Sequence, residues 1–202
     1  MNFFIQLHVL LNKTRRLDFL APLALRLYLV PVFWVAGMNK LENFDNIVQW
    51  FGNAEWGLGL PLPWLMAFLA TFAEVAGAIA LLTGLGVRWF SIPLMVTMLV
   101  AVFSVHWENG WQAVADPMSP FAPANIDDVT QKLDMAKQIL QQYGNYDWLS
   151  SSGSFVISNN GIEWAVTYLV MLLALFFSGA GRWVSVDYWI KQHYMRESSG
   201  IK

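Results

Sequence analysis

The sequence predicts an all-α membrane protein: a four-helix transmembrane bundle with a partly helical extracytoplasmic insert between the third and fourth spans. Three observations carry that expectation. The 202 residues are 56% hydrophobic and 13% charged, about half the roughly 25% charged residues of an average soluble domain. Four apolar runs, about 19–38, 62–85, 87–107 and 162–178, have the length to cross or nearly cross a hydrocarbon core about 30 Å thick at 1.5 Å per residue. Inside the first two runs stands one charge each, Arg26 and Glu74. An acidic or basic side chain at that depth costs roughly 2.5–3.5 kcal/mol on insertion scales, so it should face protein and have a partner.

The run from Pro61 to Arg88, PLPWLMAFLATFAEVAGAIALLTGLGVR, is the stretch around which the rest is expected to pack. Glu74 lies near its middle. Ala73 and Gly77, and Ala76, Ala80 and Gly84, recur at four-residue spacing, which lets a neighbouring helix approach closely. TGLGVR, Thr83–Arg88, reads as a tight turn into the third span.

Ahead of it, the first seventeen residues place Phe3, Leu7, Leu10 and Leu11 on one helical face, followed by Lys13, Arg15 and Arg16. In a secretory signal the positive charges precede the apolar run. The opposite order here reads as a retained helix lying in the membrane surface. In the first span Pro22 falls in the first turn, where it is tolerated, and Pro31 interrupts the interior. Arg26, Phe33 and Lys40 are seven apart and so share a face. Asn43–Phe51 reads as a short amphipathic interfacial helix, with Trp50 and Trp56 at headgroup level.

Residues 108–161 form the large outer insert. Within it Asn125–Tyr143 reads as a helix: Asn125 as the cap, Asp127 and Asp128 in the first turn, a stripe of Val129, Leu133, Ala136, Leu140 and Tyr143, and Gly144 as the stop. The following YDWLSSSGSFVISNNG reads as extended or hairpin-like. After the fourth span comes a tail, SVDYWIKQHYMR, rich in interfacial aromatics.

Lys and Arg sort the ends. The N-terminal segment, the 84–88 turn and the tail carry eight: Lys13, Arg15, Arg16, Arg88, Arg182, Lys191, Arg196 and Lys202. The 39–61 and 108–161 loops hold Lys40, Lys132 and Lys137 among nine acidic residues. The positive-inside rule then puts both termini in the cytoplasm and the two loops outside.

With no cysteine, disulfides, thiolate metal sites and a thiol relay within this chain are excluded. A net charge of -2 gives no footprint for nucleic acid. Two groups of residues are candidate sites. Counted from the span ends, Arg26 and Glu74 differ in depth by only about 6 Å, so the two are expected to pair. Such a pair is either a fixed interhelical clamp or the holder of a polar headgroup or a proton. Lys40, His106, Glu108 and Glu163 gather at the outer ends of the spans; His106 can titrate, ligate or hydrogen-bond a carbonyl. One His with two carboxylates lacks a metal-ligand spacing, so no metal is assigned. Asn160 and Glu163 also fit a capping arrangement for the fourth span. The nine Met residues show no ligand spacing and read as packing. No nucleophile–base constellation appears.

The pieces RLYLVPVFWVAGMNKL (Arg26–Leu41), FAEVAGAIALLTGLGVR (Phe72–Arg88), His106, and NGIEWAVTYLVMLLALFFSGAGRWVSVD (Asn160–Asp187) resemble the DoxX family of four-span bacterial membrane proteins. The match falls on Arg26, Gly37, Lys40, Glu74, Gly77, Gly84, Arg88, Gly179, Gly181, Arg182, Ser185 and Asp187. HWENGWQAVADP, the 139–164 stretch and GRWVSVDYW are similar to a subgroup encoded beside modified, metal-binding peptides. The resemblance implies an inner-membrane protein and redox or oxidative-stress associations, but no transferable catalytic residues. The leading expectation is therefore an accessory membrane subunit of a redox or metal-stress system, one domain over 1–202, with a quinone held near Arg26 and Glu74. A redox enzyme or a small peptide is its expected partner, and a homodimer is an open arrangement. The alternatives are a small transporter or export partner, and a scaffold recruiting partners through its outer insert.

Overall fold

The computed structural model describes residues 2–198, with side chains over 3–195. Lys202, counted above among the charges that set orientation, lies outside the described residues, as does the side chain of Arg196. The helices are α1 (Asn2–Lys13), α2 (Leu20–Glu42), α3 (Phe44–Gly52), α4 (Pro63–Thr83), α5 (Val87–Val100), α6 (Ile126–Tyr143), α7 (Tyr146–Ser150), α8 (Glu163–Ser178) and α9 (Val186–Ser198). A 3₁₀ turn, Thr14–Leu17, follows α1; α5 continues as a π turn, Ala101–His106, and a 3₁₀ turn, Trp107–Asn109. Among the described residues the only β pairing is one antiparallel bridge, Val114 with Ser158.

The fold is thus an all-α membrane bundle. Leu20–Glu42, Pro63–Thr83 and Val87–Asn109 are long and apolar enough to cross a bilayer, and Glu163–Ser178 is a shorter apolar helix. The chain divides into two compact units, Met1–Thr97 with Tyr168–Lys202, and Met98–Thr167.

In the first unit α4 is the central helix, as expected: it buries Ala67, Thr71, Ala73, Glu74, Gly77, Ala78, Ala80 and Leu81, more of its surface than α2. α2 buries one stripe, Pro22, Arg26, Leu29, Phe33 and Gly37, at the three- and four-residue steps of a single helical face. Lys40 continues that stripe, because the helix runs on to Glu42 past the end of the apolar run. α2 and α4 are antiparallel. Arg26 lies against Leu81 and Leu82, and Gly37 lies against Glu74 and Val75. A Cβ on Gly37 would stand 2.7 Å from Val75 Cγ2 and 3.0 Å from Val75 N, so only glycine permits this approach. Gly77 meets Leu94 of α5 in the same way, which fits the small-residue spacing read from the sequence. α3 lies along α4, with Phe51 buried and Phe44 edge-on to Trp64 at 6.1 Å. The outward side chains of α2 and α4, among them Leu27, Trp34, Leu69, Phe72 and Leu82, are apolar, as lipid contact requires.

In the second unit the segments 110–115 and 157–163 run side by side. Ala115 N donates to Ile157 O, Asn159 N and Asn160 N to Ala113 O, Gly161 N to Gln112 O, and Glu163 N to Trp111 O. Gln112 is buried and folds back on the Asp116 backbone through both of its side-chain ends.

Three local expectations are corrected. Asn125 precedes α6 but makes no side-chain cap; the first turn is closed by Val129 N donating to Asn125 O. The stretch after Gly144 opens with a helix, α7, because Asn145 Oδ1 accepts from Trp148 N at 3.2 Å; only its later part is extended. Asn160 and Glu163 do not form a capping box. Asn160 takes the left-handed region (φ 57°), and the Glu163 carboxylate accepts from Ala113 N at 2.9 Å.

Candidate functional site

Two ions are buried in the first unit, and the structure gives them different partners from those the sequence suggested. Glu74, 3% exposed, is met by Lys40, whose Nζ donates to Oε1 at 2.9 Å and to Oε2 at 2.7 Å. Arg26 does not reach it. The register set by Gly37 places Arg26 level with Leu81 and Leu82, seven and eight residues along α4 from Glu74, or about 11 Å away. The Arg26–Glu74 pair is therefore corrected to Lys40–Glu74.

Arg26 has another employment. Its Nε donates to Leu81 O at 2.7 Å, one terminal nitrogen to Ala180 O and Val184 O at 2.7 and 3.0 Å, and the other to Leu82 O at 3.0 Å. The last carbonyls of a helix have no intrahelical donor. Leu81 and Leu82 stand in the last turn of α4, where Gly84 is the left-handed C-cap (φ 71°), so Arg26 supplies what that helix end lacks. It also fixes the 179–185 segment that follows α8. Four of the five guanidinium N–H groups are used, and the residue is 1% exposed. Arg26 is a clamp.

The same end of the unit is tied by further residues. Asp187 accepts from Gly86 N at 2.7 Å and Val87 N at 3.2 Å, a carboxylate on the first turn of α5, and its own N–H donates to Gly84 O. Ser185 Oγ donates to Gly181 O. Arg88 Nε donates to Phe176 O, and Arg182 pairs with Asp18 at 2.9 Å, which sets the starts of α2 and α9 side by side. Sequence reasoning attached no role to Ser185 or Asp187. The available signal was an Asp that opens a helical pattern, since such a carboxylate is suited to unpaired N–H groups.

Lys40 differs from Arg26 in what it leaves open. An ammonium carries three N–H donors. Two are spent on Glu74, and the side chain is 21% exposed against 5% for its partner. The remaining donor has no partner among the described residues, on a partly exposed side chain near the end of α2. Chemically this is a charge-assisted donor, held by a carboxylate, that a carbonyl or other oxygen acceptor can take.

Of the four residues grouped at one end of the spans, Lys40 belongs to the first unit and is taken up by Glu74. His106, Glu108 and Glu163 belong to the second. The π turn delivers His106 so that Nδ1 lies 2.8 Å from Asn160 O, which also accepts from Asn109 Nδ2 at 3.1 Å. A carbonyl only accepts, so Nδ1 carries the proton. Glu163 is committed to the Ala113 backbone, and Glu108 is exposed without an ion pair among the described residues. Among those residues no group of three or more His, Asp or Glu is placed to hold a metal.

A family model described as DoxX matches residues 21–107, which include Arg26, Gly37, Lys40, Glu74, Gly84, Arg88 and His106. "Inner membrane protein YphA" of Escherichia coli (strain K12) is 32% identical over 120 residues, covering 54% of this chain and 78% of that protein. "Putative oxidoreductase CatD" of Bacillus subtilis (strain 168) is 26% identical over 83 residues, covering 41% of this chain and 58% of that protein. No solved structure matches.

Proposed function

The chain belongs to the DoxX family, and from that premise we propose that it is an accessory inner-membrane subunit of a redox or oxidative-stress system, holding a quinone headgroup at the Lys40–Glu74 pair. The observation that carries this reading is the third Lys40 N–H. Two partly buried carboxylate contacts fix the ammonium, and one donor is left over on a side chain that is 21% exposed. A quinone carbonyl is an acceptor without a charge and travels in the same apolar phase. The name of the Bacillus subtilis relative, an oxidoreductase, agrees with a redox setting. With no cysteine in the chain, any dithiol relay to the quinone would be supplied by a partner. In this reading Arg26 holds the helices in place and does not contact the headgroup. The chain crosses the inner membrane four times, with both termini cytoplasmic and the 108–161 insert outside, in keeping with the eight-to-three bias of Lys and Arg.

The test is mass spectrometry of an organic extract of the detergent-purified protein. Wild type should carry an isoprenoid quinone near one per chain. Lys40→Met/Glu74→Leu, which removes both charges and keeps the packing apolar, should fold and carry none. Equal quinone in both, or none in the wild type together with solute flux in liposomes that Glu74→Gln abolishes, would overturn the redox reading in favour of transport.

A further inference from the structure

The N-terminal helix poses a physical problem that the rest of the fold does not solve. α1 is 12 residues long, and every described side chain from Phe3 to Lys13 is exposed. Isolated helices of about 12–15 residues are marginal in water, and most helices in proteins are held by an apolar face packed on something. Here that face exists without cover from the described residues: Phe3 is 70% exposed, Phe4 75%, Leu7 43%, Leu10 60% and Leu11 58%. At 100° per residue these five fall in one sector of about 120°; Gln6, His8, Asn12 and Lys13 lie outside it, as do the apolar Ile5 and Val9.

Two further observations identify the occupant. Among residues 1–17 there is no acidic side chain, while Lys13, Arg15 and Arg16 close the segment. None of the three is in an ion pair among the described residues; the next acid, Asp18, is committed to Arg182. The segment also has nowhere to go. Thr14–Leu17 is a single 3₁₀ turn, and α2, an apolar helix long enough to span, starts at Leu20. α1 is therefore tethered within a few residues of the membrane boundary, with an apolar sector and a cationic end.

We propose that α1 is a surface anchor for anionic phospholipid: its Phe3–Leu11 sector is buried among acyl chains, and Lys13, Arg15 and Arg16 sit among negatively charged headgroups. The protein thereby senses leaflet composition, because the anchor docks on an anionic leaflet and loosens on a neutral one. A basic residue near such a surface contributes about fivefold to binding, so three contribute on the order of a hundredfold.

The absence of cysteine makes the test direct. The full chain with Leu10→Cys carries one nitroxide label and is placed in nanodiscs of phosphatidylcholine alone or mixed with phosphatidylglycerol. The ratio of lipid-immersed to water-exposed label is read from oxygen and nickel-chelate accessibility. It should rise by on the order of a hundredfold in the anionic discs, fall back with added salt, and fall back in Lys13→Gln/Arg15→Gln/Arg16→Gln. A label equally immersed in both lipids would overturn the anionic preference and leave apolar docking alone. A label in water in both would overturn the anchor altogether and point to a protein as what covers α1. Neither result depends on whether a quinone is bound.

Discussion

Replacing Arg26 separates a structural ion from a functional one. Arg26→Met keeps an unbranched side chain of moderate length and removes every donor. Leu81 O and Ala180 O, whose bonds to Arg26 are buried, are left without that partner, and Leu82 O and Val184 O, partly buried, lose theirs. A buried acceptor left unsatisfied costs about 1–3 kcal/mol, and a bond from a charged donor contributes about 1.5–3 kcal/mol. Counting the two buried carbonyls at the middle of that range and little for the others gives a loss of roughly 4 kcal/mol, a large share of a typical 5–15 kcal/mol. At about 2–4 °C per kcal/mol for a chain of this size, the melting temperature in detergent should fall by about 8–16 °C. Arg26→Lys keeps the charge with three donors but loses the planar fork, so it should fall between wild type and Arg26→Met. Thermal unfolding followed by tryptophan fluorescence reads both. If Arg26→Met melts within about 2 °C of wild type, the four carbonyls have other partners and the clamp is refuted. If Arg26→Lys melts like wild type but loses a bound ligand, the residue is part of the site after all.

Two further outcomes bear on the site. Glu74→Gln or Lys40→Met alone should destabilise by about 3–5 kcal/mol, since each leaves a buried ion or its neighbour unpaired, whereas Lys40→Met/Glu74→Leu should recover most of that loss; a double-mutant cycle of melting temperatures checks the sign. Gly37→Ala should cost about 1–3 kcal/mol because its Cβ lands 2.7 Å from Val75 Cγ2 and 3.0 Å from Val75 N. Val75→Ala should rescue only part of that cost, as the backbone contact remains; full rescue would show that side-chain crowding alone fixes the register.

The helices themselves were legible because apolar length and the lone charges leave few choices inside a membrane. The seven-residue spacing of Arg26, Phe33 and Lys40 puts the three on one face of α2, and the structure buries Arg26 and Phe33 on that face. The pairing was not legible. Depth counted from helix ends assumes that neighbouring helices begin level, and here the register is set by Gly37 seated on Glu74 and Val75. That contact places Lys40 within reach of Glu74 and leaves Arg26 one helix end away. Local capping was harder still. Asn145 followed by Asp147 carries a start signal for α7, but the helix is only five residues long before Ser and Gly end it. The spacing of Asn160 and Glu163 fits a cap, but the left-handed backbone of Asn160 aims its carbonyl at His106 and Asn109.

The motif residues that resemble the DoxX family divide once their partners are known. Arg26, Gly84, Arg88, Gly181, Arg182, Ser185 and Asp187 lie in the polar ties at the helix ends where α4 turns into α5 and the chain leaves α8. Gly37, Lys40 and Glu74 meet at the α2–α4 seam. Both clusters contain a cation at least partly buried in the protein, so charge alone does not tell a clamp from a site. Donor accounting does. Arg26 has four of its five N–H groups on backbone carbonyls and almost no exposed surface, so a ligand would have to displace structure to reach it. Lys40 has satisfied its counter-ion with two donors and keeps a third on a side chain that is 21% exposed. A new acceptor there adds a hydrogen bond without breaking one, and that asymmetry is why the Lys40–Glu74 seam, rather than the more deeply buried arginine, is the place to look for what this protein binds.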